Sequence, residues 1–174
     1  TDSSGSVMWS KYYGSTSSDF ASYVEQTNDG GYVLTGDNGG SVYLIKTDDT
    51  GNLQWSKYFG SSTGNCVHQT ADGGYAMIGY TTVMGAGGAD ILFAKTDSAG
   101  NALWSFRYGG NNYDKGYSFS QTTDGGYILS GVLYNSGVYK LLFIKTDQAG
   151  GILWSKVFGA SGGTSIFSGW GSVI

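Results

Sequence analysis

Three residues that could do chemistry fall at one repeated position. When the chain is aligned on Gln26, Gln69 and Gln121, the residues just before them are Glu25, His68 and Ser120. Glu25 is the single glutamate of the chain and His68 its single histidine. An acid, an imidazole and a hydroxyl are the parts of a nucleophilic relay, in which the carboxylate orients the ring and the ring takes the hydroxyl proton. No Gly-x-Ser-x-Gly elbow surrounds Ser120, and such a turn is what exposes the nucleophile in one large class of these enzymes. The simpler reading is that this position varies between copies, in which case replacing His68 by Ala leaves stability and binding almost unchanged. Cys66 and His68 lie two apart and share a strand face, but a zinc centre needs a third ligand and none is evident. The many glycines do not follow a strand and open a helix, so they make no phosphate cradle.

The elements that must position these residues are set by repetition. Thr1-Asp2…Trp9-Ser10-Lys11-Tyr12-Tyr13-Gly14 returns as Thr47-Asp48…Trp55-Ser56-Lys57-Tyr58-Phe59-Gly60. It returns again as Thr96-Asp97…Trp104-Ser105-Phe106-Arg107-Tyr108-Gly109 and as Thr146-Asp147…Trp154-Ser155-Lys156-Val157-Phe158-Gly159. A period of 46 to 50 residues marks a repeat array.

Within the clearest copy, Phe20–Thr27, Tyr32–Gly36, Val42–Thr47 and Leu53–Phe59 read as strands. Asn28-Asp29-Gly30-Gly31, Asp37-Asn38-Gly39-Gly40 and Asp48–Asn52 separate them, and Asp, Asn and Gly are the residues that tolerate positive φ in tight turns. The second copy places strands at Asn65–Thr70, Tyr75–Tyr80, Ile91–Thr96 and Leu103–Gly109. The third places them at Tyr117–Thr122, Tyr127–Gly131, Leu141–Thr146 and Ile152–Gly159. No stretch keeps apolar residues at three-and-four spacing, so no helix is expected. A four-stranded antiparallel meander leaves an apolar face wet, and stacking copies removes it from water. The expected fold is therefore all-β: a β-propeller-type array of four-stranded antiparallel blades, three full and one partial at each end. It forms a single domain over 1–174, with repeats at about 1–14, 19–60, 65–109, 114–159 and 160–174.

The repeated polar residues have plain readings beside functional ones. Asp29, Asp72 and Asp124 precede Gly-Gly, and Asp48, Asp97 and Asp147 open the turn before each tryptophan strand. Carboxylates in glycine-rich loops suit calcium, which needs several oxygen ligands. The Asp-x-x-Gly turn supplies no second carboxylate at EF-hand spacing and no closing Glu, so backbone capping within the turn is favoured. Lys46, Lys95 and Lys145 read as solvated strand ends or as partners of nearby aspartates. Trp9, Trp55, Trp104 and Trp154 could be sugar-stacking platforms, but their recurrence reads as packing between blades.

The layout of strand, Asp-Gly-Gly-Tyr turn, strand, Lys-Thr-Asp-x-x-Gly-Asn turn and tryptophan strand resembles the tandem propeller-like repeats of secreted bacterial and archaeal surface proteins. It also follows the general strand plan of NHL-type blades. The resemblance covers Thr1–Gly159 and implies fold rather than ligand.

Composition narrows the partners. The 174 residues carry a net charge of −4 with a pI near 4.6, and the nine basic residues form no cluster. Nucleic acid is therefore not an expected partner. No apolar run approaches the length of a spanning helix, so membrane insertion is not expected either. One cysteine excludes an internal disulfide framework. High Gly, Ser, Thr, Asn and Tyr with few charges suggest an extracellular or cell-surface setting.

Three full blades with fragments do not comfortably close, since propellers close with four to eight. The array could belong to a longer propeller, or close as a four-bladed ring in which Val7–Tyr13 joins the tail. Alternatively, unfinished edges could exchange strands with another copy. The candidate exchange segments are marked by Val7 and Tyr13 at one end and by Ile166, Phe167 and Trp170 at the other. The expectation is a non-catalytic extracellular structural or interaction protein without cofactor or metal, self-assembling through its incomplete blades into a filament or ring, or completed by the remainder of a longer chain. The alternative is a lectin-like propeller module that binds carbohydrate or protein.

Overall fold

A computed structural model describes residues 1–174 except 2, 15, 17, 61, 84–87, 136, 160–168 and 174; of 135 and 169–173 it describes the backbone alone. The described residues contain no helix. Thirteen strands run in order: β1 Phe20–Gln26, β2 Tyr32–Asp37, β3 Val42–Thr47, β4 Leu53–Phe59, β5 Ser62–Gln69, β6 Tyr75–Thr81 and β7 Asp90–Thr96. They continue with β8 Ala102–Tyr108, β9 Asp114–Gln121, β10 Tyr127–Asn135, β11 Val138–Thr146, β12 Ile152–Phe158 and β13 Gly169–Val173. The first sheet is β1-β2-β3-β4 and the third is β9-β10-β11-β12, each an antiparallel meander. The middle sheet, β5-β6-β7-β8, carries β13 as a fifth strand on β8.

Each sheet repeats the same backbone device. The register of the inner strand slips once, at Ser22, Asn65 and Tyr117 in β1, β5 and β9. These are equivalent positions, four before each glutamine, and such a bulge sharpens the local twist. The turn after each inner strand is closed by paired backbone bonds, Thr27 N–H to Gly31 O and Gly30 N–H to Thr27 O in the first sheet. Gly30, Gly73 and Gly125 take φ of +81° to +83° there, which other residues adopt only at a cost.

The sheets stack face upon face around two cores. One joins Val33, Val42 and Leu44 of the first sheet to Val67, Tyr75, Met77 and Ala94 of the second. The other joins Ala76, Ile78, Ile91 and Phe93 of the second to Phe119, Tyr127, Leu129, Leu142 and Ile144 of the third. The middle sheet is thus covered on both faces. That is why β7 is buried from end to end and reads as a continuous apolar run rather than an alternation. The outer strand β12 has a face in water, and Leu153, Trp154 and Phe158 are all exposed.

The structure differs from the sequence expectation at both ends and at two loops. Val7–Tyr13 is not a strand, because among the described residues no neighbouring strand offers it a hydrogen-bonding ladder. It lies against the first sheet through side chains instead. The tail strand β13 pairs with β8, from Gly169 opposite Tyr108 to Val173 opposite Trp104, not with Val7–Tyr13. Ile166 and Phe167 lie outside the described residues; Trp170 stands opposite Arg107. Ser62–Gly64, expected in a loop, belongs to β5. β9 and β10 start or end three or four residues beyond expectation, because each finds a paired neighbour there.

Candidate functional site

The inner strands bring Glu25 and His68 together. His68 Nδ1 donates to Glu25 Oε2, and Glu25 Oε1 accepts the backbone N–H of Gln69 at 3.0 Å. A carboxylate accepts, so the proton between the two groups sits on Nδ1, and Nε2 is the ring's other polar atom. Cys66 Sγ stands 3.4 Å from that Nε2. The His68 ring is packed edge-on between Tyr23, with centroids 5.2 Å apart, and Phe119, 5.0 Å apart. Ser120 does not join this group: it is exposed on β9, opposite Ile128. Its neighbour Phe119 turns inward in its place.

Carboxylate, imidazole and thiol in line have the connectivity of a thiol relay, but the thiol is set against that use. Cys66 is only 2% exposed. Burial pushes its pKa up to about 11, against weaker opposing bonds from the Phe119 backbone and the Ser118 side chain. A thiolate, not a thiol, is the nucleophile. The chain Cys66–His68–Glu25 therefore joins the first sheet to the second as a polar staple within an aromatic cluster.

A second cluster lies where the middle sheet meets the third, and it carries charge. Asp90 at the start of β7 and Asp114 at the start of β9 are 3% and 0% exposed. A Cβ on Gly109 would lie 2.1 Å from Asp90 Oδ1 and 2.7 Å from Asp114 Oδ2, so both carboxyl groups crowd the same glycine. Asp114 Oδ2 accepts the Gly110 N–H at 2.7 Å, while Asp90 Oδ2 and Asp114 Oδ1 have no hydrogen-bond partner among the described residues. Burial raises the Asp114 pKa to about 6, and the neighbouring Asp90 adds to the rise. Burial also raises Asp90, with Arg107 acting against it. Among the described residues no three His, Cys, Asp or Glu side chains converge as metal ligands. Sequence reasoning missed this pair. The signal was the repeat itself: the positions equivalent to Asp90 hold Ser41 and Lys140, and those equivalent to Asp114 hold Asp19 and Ser62.

The repeated lysines and aspartates explain both motifs at once. Lys46 Nζ bonds Asp29 Oδ2 at 2.8 Å, the Thr47 carbonyl at 2.8 Å and Gln54 Oε1 at 3.1 Å. Lys95–Asp72 and Lys145–Asp124 repeat the pair at 2.9 Å. Lys46 and Lys95 are buried, which corrects the reading of solvated strand ends and leaves the aspartate partner. The lysine of each Lys-Thr-Asp thus ties down the aspartate of each Asp-Gly-Gly-Tyr. A Cβ on Gly31 would meet Thr47 O at 2.1 Å and Lys46 Nζ at 2.6 Å, so the second glycine makes room for the ammonium.

The bonds from Lys46 and then Thr27 lower the Asp29 pKa to about 2; those from Thr122 and then Lys145 do the same for Asp124. For Asp72, burial pulls the other way but is outweighed by Thr70 and Lys95, again giving about 2. Asp48 is lowered to about 2 by the Asn52 backbone and side chain within its own turn. Asp97 and Asp147 accept from Asn101 N–H and Gly151 N–H in the same way. These are turn caps.

The tryptophans face the next sheet in chain order. Trp9 meets Tyr32 with centroids 5.8 Å apart, Trp55 meets Tyr75 at 5.5 Å and Trp104 meets Tyr127 at 6.1 Å. Cβ atoms on Gly51, Gly100 and Gly150 would run into Trp9, Trp55, and Trp104 with Phe106. The hydroxyls of Tyr13 and Tyr108 donate to the carbonyls of Gly51 and Gly150. Lys11 and Lys57 donate to Asn52 and Asn101 Oδ1 at 3.3 and 3.1 Å. A glutamine clamp closes each join. Gln69 and Gln121 donate to Gly73 O and Gly125 O of their own turns and accept from Asn28 N–H and Ala71 N–H of the preceding sheet. Among the described residues Trp154 meets no such tyrosine; it is 43% exposed, with Lys156 Nζ 5.4 Å from its ring centre. Along one join runs a cleft of about 510 Å³ lined by Asp72, Lys95, Trp104, Gln121, Tyr127 and Gln148.

No protein-family model matches this chain, and no curated protein matches it.

Proposed function

We propose that this chain is a non-catalytic, extracellular repeat domain of β-propeller type, and that its role is structural, through association with further copies of itself. The observation that carries this reading is the open join. A tryptophan meets the next Tyr–Gly surface at Trp9, Trp55 and Trp104, and the fourth, Trp154, stands exposed beside Leu153 and Phe158. An apolar surface of that kind on a repeat is an association surface. The side-by-side packing of Tyr23, His68 and Phe119 from three successive inner strands supports a common axis for the sheets. The protonated, enclosed Cys66 thiol supports a role without covalent chemistry. Light scattering on the eluting chain over a hundredfold range of concentration tests the reading: a mass above 18.3 kDa that grows with concentration is expected, and a monomer throughout refutes it.

A second reading rests on the cleft along the second join. Its volume and its mixture of an indole face with carboxylate, ammonium and amide groups suit a sugar ring. Glycan-array binding that Trp104→Ala abolishes, by a protein that stays monomeric, is the outcome that would favour a lectin-like module.

A further inference from the structure

We infer that two copies of this chain join head to tail, the third sheet of each docking on the first sheet of the other, to close a six-sheet ring. The inference rests on the self-association reading above and specifies its interface. Twice the three sheets of the described residues lies within the four to eight that close a propeller. Two identical contacts related by a twofold axis then leave no sheet face unmatched.

The two end surfaces carry matching halves of the joins already present inside the chain. Trp154-Ser155-Lys156-Val157-Phe158 presents the same indole, ammonium and phenyl spacing as Trp55-Ser56-Lys57-Tyr58-Phe59. Trp55 and Lys57 engage Gly100 and Asn101 of the second sheet. The first sheet offers Gly51-Asn52 at the equivalent place, with Tyr32 beside it as Tyr75 stands beside Trp55. The glutamine clamp is also divided between the ends. Gln26 Nε2 donates to Gly30 O of its own turn at 3.1 Å, as Gln69 and Gln121 do to theirs. The backbone N–H equivalent to those of Asn28 and Ala71, which would complete it, is that of Thr123 in the third sheet.

Charge makes the pairing specific. Around Gly109 the second-to-third join sets Asp90 against Asp114, two buried carboxyl groups. In a third-to-first join of the same form, Lys140 takes the place of Asp90 and Asp19 that of Asp114. Lys140 lies against Gly159, where a Cβ would meet its side chain at 3.1 Å, and Asp19 lies against Gly14, where a Cβ would meet its carboxylate at 2.5 Å. Gly159 and Gly14 are the counterparts of Gly109. An opposed ammonium and carboxylate replace the acid pair, an arrangement that favours this partner over others.

The surface on the first sheet is covered by residues 7–13 of the same chain, and weakly so. That segment holds on through Trp9, Lys11 and Tyr13 without strand pairing, and Val7, Met8 and Tyr12 are 73%, 69% and 100% exposed. A β12 strand already paired to β11 brings the same indole at a lower ordering cost. Docking therefore displaces residues 7–13.

The experiment is light scattering and sedimentation velocity on the full chain and four variants, with circular dichroism as a control for folding. The expected particle has twice the 18.3 kDa chain mass. Trp154→Ala, Lys140→Glu and Asp19→Lys should each weaken the dimer at least tenfold. The double variant Lys140→Glu/Asp19→Lys should recover to within about threefold of the parent, since its charges are opposed again. A dimer indifferent to all four changes, or a double variant as weak as the singles, overturns this interface while leaving self-association standing. Trimers or open fibres overturn the six-sheet ring. A monomer at every concentration overturns both the ring and the reading beneath it.

Discussion

Replacing Asp114 by Asn should stabilise this protein at pH 8 and leave it nearly unchanged at pH 4. In the fold, the Asp114 carboxyl keeps its proton up to about pH 6, against an ordinary value of 3.8. Between those values the folded chain binds more protons than the unfolded one, so stability falls as pH rises through the window and the loss is complete above it. A displacement of roughly two pH units at about 1.4 kcal/mol each corresponds to about 3 kcal/mol at pH 8. Asn removes the charge, and its Oδ1 can still accept the Gly110 N–H now bound at 2.7 Å. The bond is neutral in the Asn variant and in the protonated parent alike, so the gain at pH 8 is the stability that the parent loses on ionisation, about 2–3 kcal/mol. At pH 4 the carboxyl is already protonated in the fold, so the gain vanishes. Urea unfolding followed by tryptophan fluorescence at the two pH values measures both differences. A variant less stable than the parent at pH 8, or an equal difference at both pH values, refutes the argument that Asp90 and Asp114 oppose folding when ionised.

Four further outcomes follow from the geometry. Gly74→Ala puts a Cβ 2.3 Å from Thr96 O and 2.5 Å from Lys95 Nζ, whereas Gly73→Ala meets nothing within 4 Å and pays only for its φ of +82°. Urea midpoints should show a loss of about 3 kcal/mol or more for the first and about 1 kcal/mol for the second. Lys95→Met removes the bonds to Asp72 and Thr96 O and should cost about 1–3 kcal/mol. It should also return the Asp72 carboxyl, lowered to about 2 in the parent, toward its ordinary range when titrated by NMR. With Asp29, Asp72 and Asp124 all lowered, the parent should lose stability as pH falls from about 4 to about 2, which acid unfolding by circular dichroism reads. His68→Ala should cost about 1–2 kcal/mol, since it removes two edge-on aromatic contacts and the bond to Glu25; an unchanged urea midpoint would restore the reading of a freely variable position.

Much of the fold was legible because the repeat prints the strand plan three times over. β3 and β4 match the expected strands residue for residue, since the Asp37-Asn38-Gly39-Gly40 turn precedes β3 and Asp48–Asn52 separates the two, with residues that leave few other conformations. The ends of β9 and β10 were not legible, because their extra pairing from Asp114 opposite Leu133 depends on a neighbour rather than on local propensity. Val7–Tyr13 has the composition of a strand, and none of the described strands pairs with it. Part of the candidate cluster was also visible: Glu25 and His68 share a repeated position and meet. Ser120 shares that position but points to solvent, while Phe119 fills the space, so an alignment on glutamine places backbones and not the inward side chain. Asp90 and Asp114 open β7 and β9, strands that do not pair with each other, and only the stacked sheets bring them to Gly109.

The most direct test of the account is an image of the native particle by electron cryomicroscopy, viewed along the line where the inner strands meet. Six antiparallel sheets around one axis, with the Trp154 indole enclosed against Tyr32 of the neighbouring copy, is the predicted result. An isolated three-sheet particle with Trp154 in water, or sheets that share no axis, would contradict it.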